Sequence, residues 1–220
     1  MIVSHTQKYI FTAIPKTASQ SIRLSLRGSL DANDWEQCLL YDKKKFPVKA
    51  LAAIGHGHIF LKQLKPYLLP QMWQNYFKFA VVRHPLGRLI SYACFQNKHQ
   101  SSMAEMPLQT LKTILNDKRE MQHLLLKPQY EFVCDDQGKV LVDYIGYFES
   151  LVDDFSEIKK HIGNAELISP LIVLNQSHRL NRSIELDSEL EDLLVMHYQK
   201  DFELFNYKLG FKRFSDGLIE

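Results

Sequence analysis

"FTAIPKTASQSIRLSL", Phe11 to Leu26, is the stretch on which the fold reading turns. Strand-forming residues run into Pro15, Lys16 and a set of small or hydroxyl side chains. Ile22, Leu26 and Leu30 then recur at helical spacing, and Ser19 and Ser21 are good N-cap types. The pattern is strand, tight turn, helix. At such a junction the first helical amides lack intrahelical partners and point outward with the positive end of the helix dipole. Two readings stay open from this segment alone: an anion site, or a plain capped turn beside a solvated lysine. It does not match GxxxxGK[ST], whose glycines wrap backbone around two phosphates, so a loop built for a nucleoside triphosphate is disfavoured.

Outward from there, short apolar runs alternate with helical patterns. Lys8–Ile14 reads as the opening strand and Val48–Ile54 ("VKALAAI") as a second buried one, bounded by Pro47 and Gly55. "YFKFAVVRHP" (76–85) is a third, ending where Pro85 forbids ladder pairing; Leu86, Leu89, Ile90 and Ala93 make a helical face directly after it. Residues 97–127 read as helical. A hairpin is expected around Asp135–Gly138, then a strand at Tyr144–Phe148 and a helical stripe at Leu151, Phe155, Ile158 and Ile162. Pro170–Asn175 reads as a last strand, followed by the basic loop "QSHRLNRS". Ser188 with Glu191 has capping-box spacing ahead of an amphipathic C-terminal helix.

Strands alternating with helices predict an α/β fold, a mostly parallel sheet covered on both faces, in one domain over 1–220. Function in such sheets sits at the carboxyl ends of strands. Lys16, His56, His58, Arg83, His178 and Arg179 all fall at those ends in this reading. Four loops then converge on one sheet edge.

Composition narrows the partners. The 220 residues are 45% apolar and 24% charged with a formal net charge of +2, so no bulk field points to nucleic acid or an anionic membrane. Three cysteines without CxxC spacing argue against a disulfide framework or zinc site and for a reducing, cytoplasmic setting. The N-terminus does not read as a signal peptide, and no apolar run approaches the roughly 20 residues that span a bilayer. His56 and His58 lack a third ligand nearby, so no metal is expected.

"VVRHPLGRLISY" supplies a second anion candidate. Arg83 offers bidentate donors to a phosphate and Ser91 a hydroxyl, although by itself this reads better as a surface ion pair beside a solvated serine. The strand–PKTxSxS–helix unit followed by strand–RxPxxRLxSxY–helix resembles the sulfotransferases that use 3′-phosphoadenosine 5′-phosphosulfate (PAPS). "IPKTASQS", "GHGHIFL", "VVRHPLGRLISY", "YIGYFESLVDDF" and "HYQKDFELFNY" follow in the order of carbohydrate sulfotransferases, closest to the heparan sulfate 2-O group through the His-Gly-His element.

The resemblance implies a three-layer, P-loop NTPase-like sandwich. It also implies sulfuryl transfer from PAPS to an acceptor hydroxyl, on a glycan or other sugar-containing molecule, with the 3′,5′-bisphosphate (PAP) as product. Lys16, Thr17, Ala18, Ser19, Gln20 and Ser21 would hold the 5′-phosphosulfate, and Arg83 with Ser91 the 3′-phosphate. Ser177 and Arg179 would close over the nucleotide, unless their loop is simply a solvated basic turn. Lys16 would sit at the breaking bond. His56 is expected as the base, suited by an ordinary pKa of about 6.5, and His58 as its support or an acceptor contact. Gln20 departs from the usual Thr or Ser, and His84 from the Asp often found after the arginine. A P-loop kinase using ATP, or a non-catalytic nucleotide-binding module, are the alternatives.

Overall fold

The computed structural model describes residues 1–38, 46–96, 102–163, 165–171, 184–210, 212–215 and 218–219. In chain order the elements begin with β1 (Ile2–Ser4), β2 (Tyr9–Thr12), α1 (Ser19–Arg27), β3 (Trp35–Glu36), α2 (Lys49–Ala52), α3 (Leu61–Leu64), α4 (Pro70–Asn75) and β4 (Phe77–Val82). Helices α5 (Pro85–Gln96), α6 (Ser102–Glu105), α7 (Pro107–Asn116), α8 (Lys118–Gln122) and α9 (Tyr130–Val133) follow. The chain continues through β5 (Tyr144–Tyr147), α10 (Leu151–Lys160), β6 (Ile184–Glu185), α11 (Ser188–Leu204), β7 (Arg213–Ser215) and β8 (Leu218–Ile219).

These residues pack as two compact units, 1–82 with 129–174, and 83–128 with 175–220. The first holds a sheet of order β3-β1-β2-β4-β5. β2, β4 and β5 run parallel, with Phe11 opposite Phe79 and Val81 opposite Gly146. β1 is antiparallel to both neighbours. The parallel character expected from the sequence therefore belongs to the β2-β4-β5 half. The other half departs because β1 and β2 are joined by a turn too short for a parallel crossover. Asp34 holds that turn, accepting from the Ser4 hydroxyl (2.9 Å) and the amides of His5 (2.6 Å) and Thr6 (3.1 Å).

Period-two alternation divides the sheet's side chains between two faces. Ile2, Tyr9, Phe11, Phe79 and Val81 pack against Ile22 and Leu26 of α1 and Phe155 and Ile158 of α10. Val3 and Ile10 face Leu51, Ile59, Leu61 and Leu64 on the other side. Burying each such side chain contributes about 1.5–3 kcal/mol, so both faces are covered by helices. The second unit has its own core, in which Leu86, Leu89 and Ala93 of α5 meet Leu111 and Leu115 of α7 and Leu190, Leu194 and Tyr198 of α11. Arg88, fully buried there, donates to the carbonyls of Leu125 (2.8 Å) and Lys127 (2.5 Å).

Several sequence expectations are corrected. Val48–Ile54 is not a strand: Ala52 N–H donates to Val48 (2.9 Å) and Ala53 N–H to Lys49 (2.9 Å), forming α2. Lys, Ala and Leu are strong helix formers, and only Leu51 of the run is buried, whereas a central strand would bury most of it. His56 and His58 thus follow a helix, not a strand. The hairpin at Asp135–Gly138 keeps its turn, but its arms shrink to a single Cys134–Val140 bridge because Tyr130–Val133 is helical. The cap of α11 is Asp187, which accepts from Leu190 N–H (3.0 Å) and pairs with Lys112 (2.6 Å), so the Ser188–Glu191 capping box does not form. Ser19 does not cap α1 either; Ala18 occupies that position. The strand expected at Pro170–Asn175 lies mostly outside the described residues.

Candidate active site

β2, the central strand of its sheet, delivers the chain into the Pro15–Ala18 turn beyond its carboxyl end. Two residues of that turn are left-handed although neither is glycine: Lys16 at φ 65° and Ala18 at φ 61°. Thr17 between them is not, and its hydroxyl turns inward to donate to the Ile14 carbonyl (3.1 Å). Alternating backbone hand of this kind turns successive amides to one side and makes an anion nest. Left-handed L-residues cost roughly 1–2 kcal/mol each, and such strain persists where the surroundings enforce it, often at functional sites. α1 has no side-chain cap, so its first amides and dipole act in the same place as the nest. A phosphate or phosphosulfate fits this donor set, with Lys16, half-buried, at its rim.

The His-Gly-His element is fixed to the segment that joins β2 to this turn. His58 Nδ1 donates to the carbonyl of Ala13 (2.7 Å), two residues before Pro15. That bond selects the tautomer with Nδ1 protonated and leaves Nε2 as an acceptor. Burial pushes the His58 pKa down to about 3, against the opposing effect of the Ala13 carbonyl. Burial also lowers His56, whose buried Nδ1 has no hydrogen-bond partner among the described residues. The two rings lie 6.3 Å apart.

Gly57 between them has no room for a side chain. A Cβ there would lie 2.1 Å from the Gln37 carbonyl oxygen and 3.0 Å from Nη2 of Arg23. Gln37 in turn grips the element, its Nε2 donating to the carbonyls of His56 (3.0 Å) and Leu51 (2.9 Å). Arg23 and Arg27 of α1 share Glu36 of β3, at 3.3 Å and 2.7 Å. Helix α1, β3 and the histidine loop are therefore locked together beneath the anion nest. Gln37 and Arg23 escaped the sequence reading. A charged residue beside Ile22 on the apolar stripe of α1 was the available sign of Arg23; nothing local marks Gln37.

In the second unit Gly87 and Ser91 share one stripe of α5, and Arg83 precedes that helix, four residues before Gly87. A Cβ at Gly87 would lie 3.1 Å from Arg83 Nε, so the guanidinium stem rests on the space that glycine leaves. Ser91 is buried. His84, given no role by the sequence, caps α5: its Nδ1 accepts from Leu86 N–H (3.2 Å) and its Nε2 faces the Lys208 carbonyl (3.4 Å). Burial lowers its pKa to about 4, with the Lys208 carbonyl opposing and Arg83 reinforcing the shift. An imidazole acceptor thus does the capping that an aspartate would do.

The structure thus ties the Lys16 turn and His58 together through Ala13, and joins Arg83 to the Ser91 stripe. Ser177 and Arg179 lie outside the described residues. No group of His, Cys, Asp or Glu arranged to hold a metal occurs among the described residues, and no helix among them is long and apolar enough to cross a membrane.

The turn after β2 thus combines an anion nest, an uncapped helix terminus, Lys16 and, tied to it through Ala13, an oriented imidazole. A family model described as the sulfotransferase family matches residues 1–208, and the chain belongs to that family. No curated protein and no solved structure matches it.

Proposed function

We propose that this protein is a PAPS-dependent O-sulfotransferase that sulfates a hydroxyl on a carbohydrate. The observation that carries the reading is the glycine-free nest at Lys16–Ala18, in a segment after β2 that also anchors His58, in a chain of the sulfotransferase family. The parallel β2-β4-β5 core with its loop after β2 supports a P-loop-like ancestry for the sheet. The family match runs through both compact units, which supports one functional domain over 1–220.

The donor supplies a sulfuryl group activated by its phosphate leaving group. In this reading the amides of Thr17 to Ser21 hold the 5′-phosphate, and Lys16 offsets charge growing on its bridging oxygen. Arg83 and Ser91 hold the 3′-phosphate. Ser177 and Arg179 add contacts to the nucleotide. A histidine takes the acceptor proton as the acceptor oxygen bonds to sulfur and the bond from sulfur to the phosphate oxygen breaks, releasing PAP. The Nδ1–H bond to Ala13 orients His58 Nε2 as that base, exchanging the roles expected from the sequence, with His56 beside the acceptor. Burial that holds its pKa at about 3 makes His58 a weak base, so it takes the acceptor's proton only once bonding to sulfur has acidified it.

Transfer from sulfur-35-labelled PAPS to a panel of glycans, with labelled ATP in parallel, tests the reading. Lys16→Ala and His58→Ala should each lower turnover ~10²-fold or more, with PAP affinity nearly unchanged in His58→Ala. Phosphoryl transfer from ATP, or PAP binding without transfer to any acceptor, would overturn it. Full turnover in His58→Ala with loss in His56→Ala would return the base to His56.

A further inference from the structure

Helix α1 carries more charge into the interior than its partner offsets. Arg27 grips both oxygens of Glu36, Nε donating to Oε2 (3.0 Å) and Nη2 to Oε1 (2.7 Å). Arg23 reaches the same carboxylate through Nη1 alone (3.3 Å), and that nitrogen also lies 3.4 Å from the Met1 carbonyl oxygen. Its Nε and Nη2 make no hydrogen bond among the described residues. One carboxylate cannot balance two guanidiniums. Arg27 is partly open to solvent, so the surplus positive charge falls on Arg23, which is 2% exposed. Arginine keeps its proton at any working pH, and a buried cation without full compensation is costly to hold.

That charge sits between the nest and the histidines. Arg23 stands one helical turn after Ser19, the first residue of α1, and side chains on a helix lean toward its N-terminus, here the nest. Its Nη2 lies 3.0 Å from where a Gly57 Cβ would be, against the residue that separates the two histidines. Among the described residues, the charged and titratable groups that face His58 are Arg23, the Met1 amino group and His56. Glu36 of β3 is taken up by the two arginines. Burial, with Arg23 next, holds the Met1 amino group well below its ordinary pKa, and burial lowers that of His56. Arg23 is therefore the group of the three whose charge is fixed.

We propose that Arg23 is a positioning residue for the proton transfer: its guanidinium, held against Gly57, fixes the histidine loop and keeps His58 unprotonated while a polyanionic donor fills the nest. The inference rests on the donor and the base assigned above. A phosphosulfate beside an imidazole draws it toward the imidazolium form, because a nearby opposite charge favours ionisation. An imidazolium has no lone pair left for the acceptor's proton. The buried guanidinium acts in the opposite sense, and water screens it little. The same charge lies behind the nest and favours the arriving anion. Arg23 thus does two things with one charge: it draws the donor in, and it cancels the donor's effect on the base.

Arg23→Gln and Arg23→Lys separate charge from packing, with urea midpoints as the check on folding. Glutamine removes the charge and leaves Glu36 held by Arg27, whereas lysine keeps the charge. Arg23→Met is the second neutral variant. Turnover with labelled PAPS is followed against pH, and the His58 ring is titrated by nitrogen-15 NMR with and without PAP, its signals assigned by their loss in His58→Gln. In a neutral variant the acid limb of turnover and the His58 midpoint should both rise by about one pH unit, and PAP should bind several-fold more weakly. In Arg23→Lys the limb and the midpoint should stay near those of the wild type. A limb and midpoint that stay put in the neutral variants, or that rise equally in Arg23→Lys, would overturn the proposal. So would loss of folding in both neutral variants while Arg23→Lys folds, which would make the cation structural. Absence of PAP binding to the wild type is a failure of the donor reading instead, and the His58 midpoint in the free protein still decides for or against Arg23.

Discussion

Gly57→Ala probes the lock beneath the histidine pair most sharply. The added Cβ would stand 2.1 Å from the Gln37 carbonyl oxygen, where a relaxed carbon–oxygen contact is about 3.3 Å. Either the histidine loop or the Gln37 backbone must then move by about 1 Å. Neither is free to do so cheaply: Gln37 is 3% exposed, and its side chain holds the carbonyls of Leu51 and His56. Overpacking at roughly 1–3 kcal/mol and weakening of two buried hydrogen bonds at about 1 kcal/mol each give an expected loss near 3 kcal/mol. A displacement of about 1 Å at a catalytic group should also lower turnover on the order of 10²-fold. Urea unfolding and labelled-donor turnover measure both. Gly55→Ala is the control in the same loop, because its Cβ would meet nothing closer than Ala53 O at 4.0 Å. Its φ of 77° costs only about 1 kcal/mol. If Gly57→Ala is no more destabilising than Gly55→Ala and keeps full turnover, the close approach does not position the histidines.

Three shorter predictions accompany it. Ala18→Gly should leave stability within about 0.5 kcal/mol, since relief of left-handed strain and loss of unfolded-state restriction nearly cancel, whereas Ala18→Val should cost about 1–2 kcal/mol by urea unfolding. His84 has a folded pKa of about 4 against 6.5 when unfolded, so the unfolded chain takes the proton first and stability falls as pH drops from 6.5 toward 4. Wild type should lose up to about 3 kcal/mol more than His84→Asn over that window, because asparagine caps without titrating. Gly87→Ala should raise helix stability by about 0.5–1 kcal/mol while weakening PAP binding several-fold, as its Cβ crowds Arg83; unchanged affinity would separate Arg83 from the phosphate clamp.

The strand-to-helix junctions at Phe11–Leu26 and Tyr76–Ala93 were legible because unbroken apolar runs meet proline and then helical spacing. "VKALAAI" misled because an apolar run and strong helix propensity point opposite ways, and only burial decides between them. The nest was legible as a place but not as a geometry: nothing in "PKTAS" announces two left-handed residues without glycine. The position of His58 depends on Ala13, 45 residues distant, and that of Gly57 on Gln37. Such contacts leave no periodic trace, so the sequence could rank the histidines as a pair but not order them. His84 was opaque for a related reason, since an imidazole cap has no spacing signature of its own.

The glycine-free turn has a further consequence for how tightly and how fast a ligand is held. Proline and β-carbons at Pro15–Ala18 restrict the chain before any anion arrives, so its ordering entropy is lost on folding rather than on binding. A glycine-rich loop would give up that freedom with each binding event. Here the amides already face one way in the free protein, and an arriving phosphate meets a formed cradle. The price of that stiffness is carried by the fold's stability, and its return is affinity obtained without additional contacts.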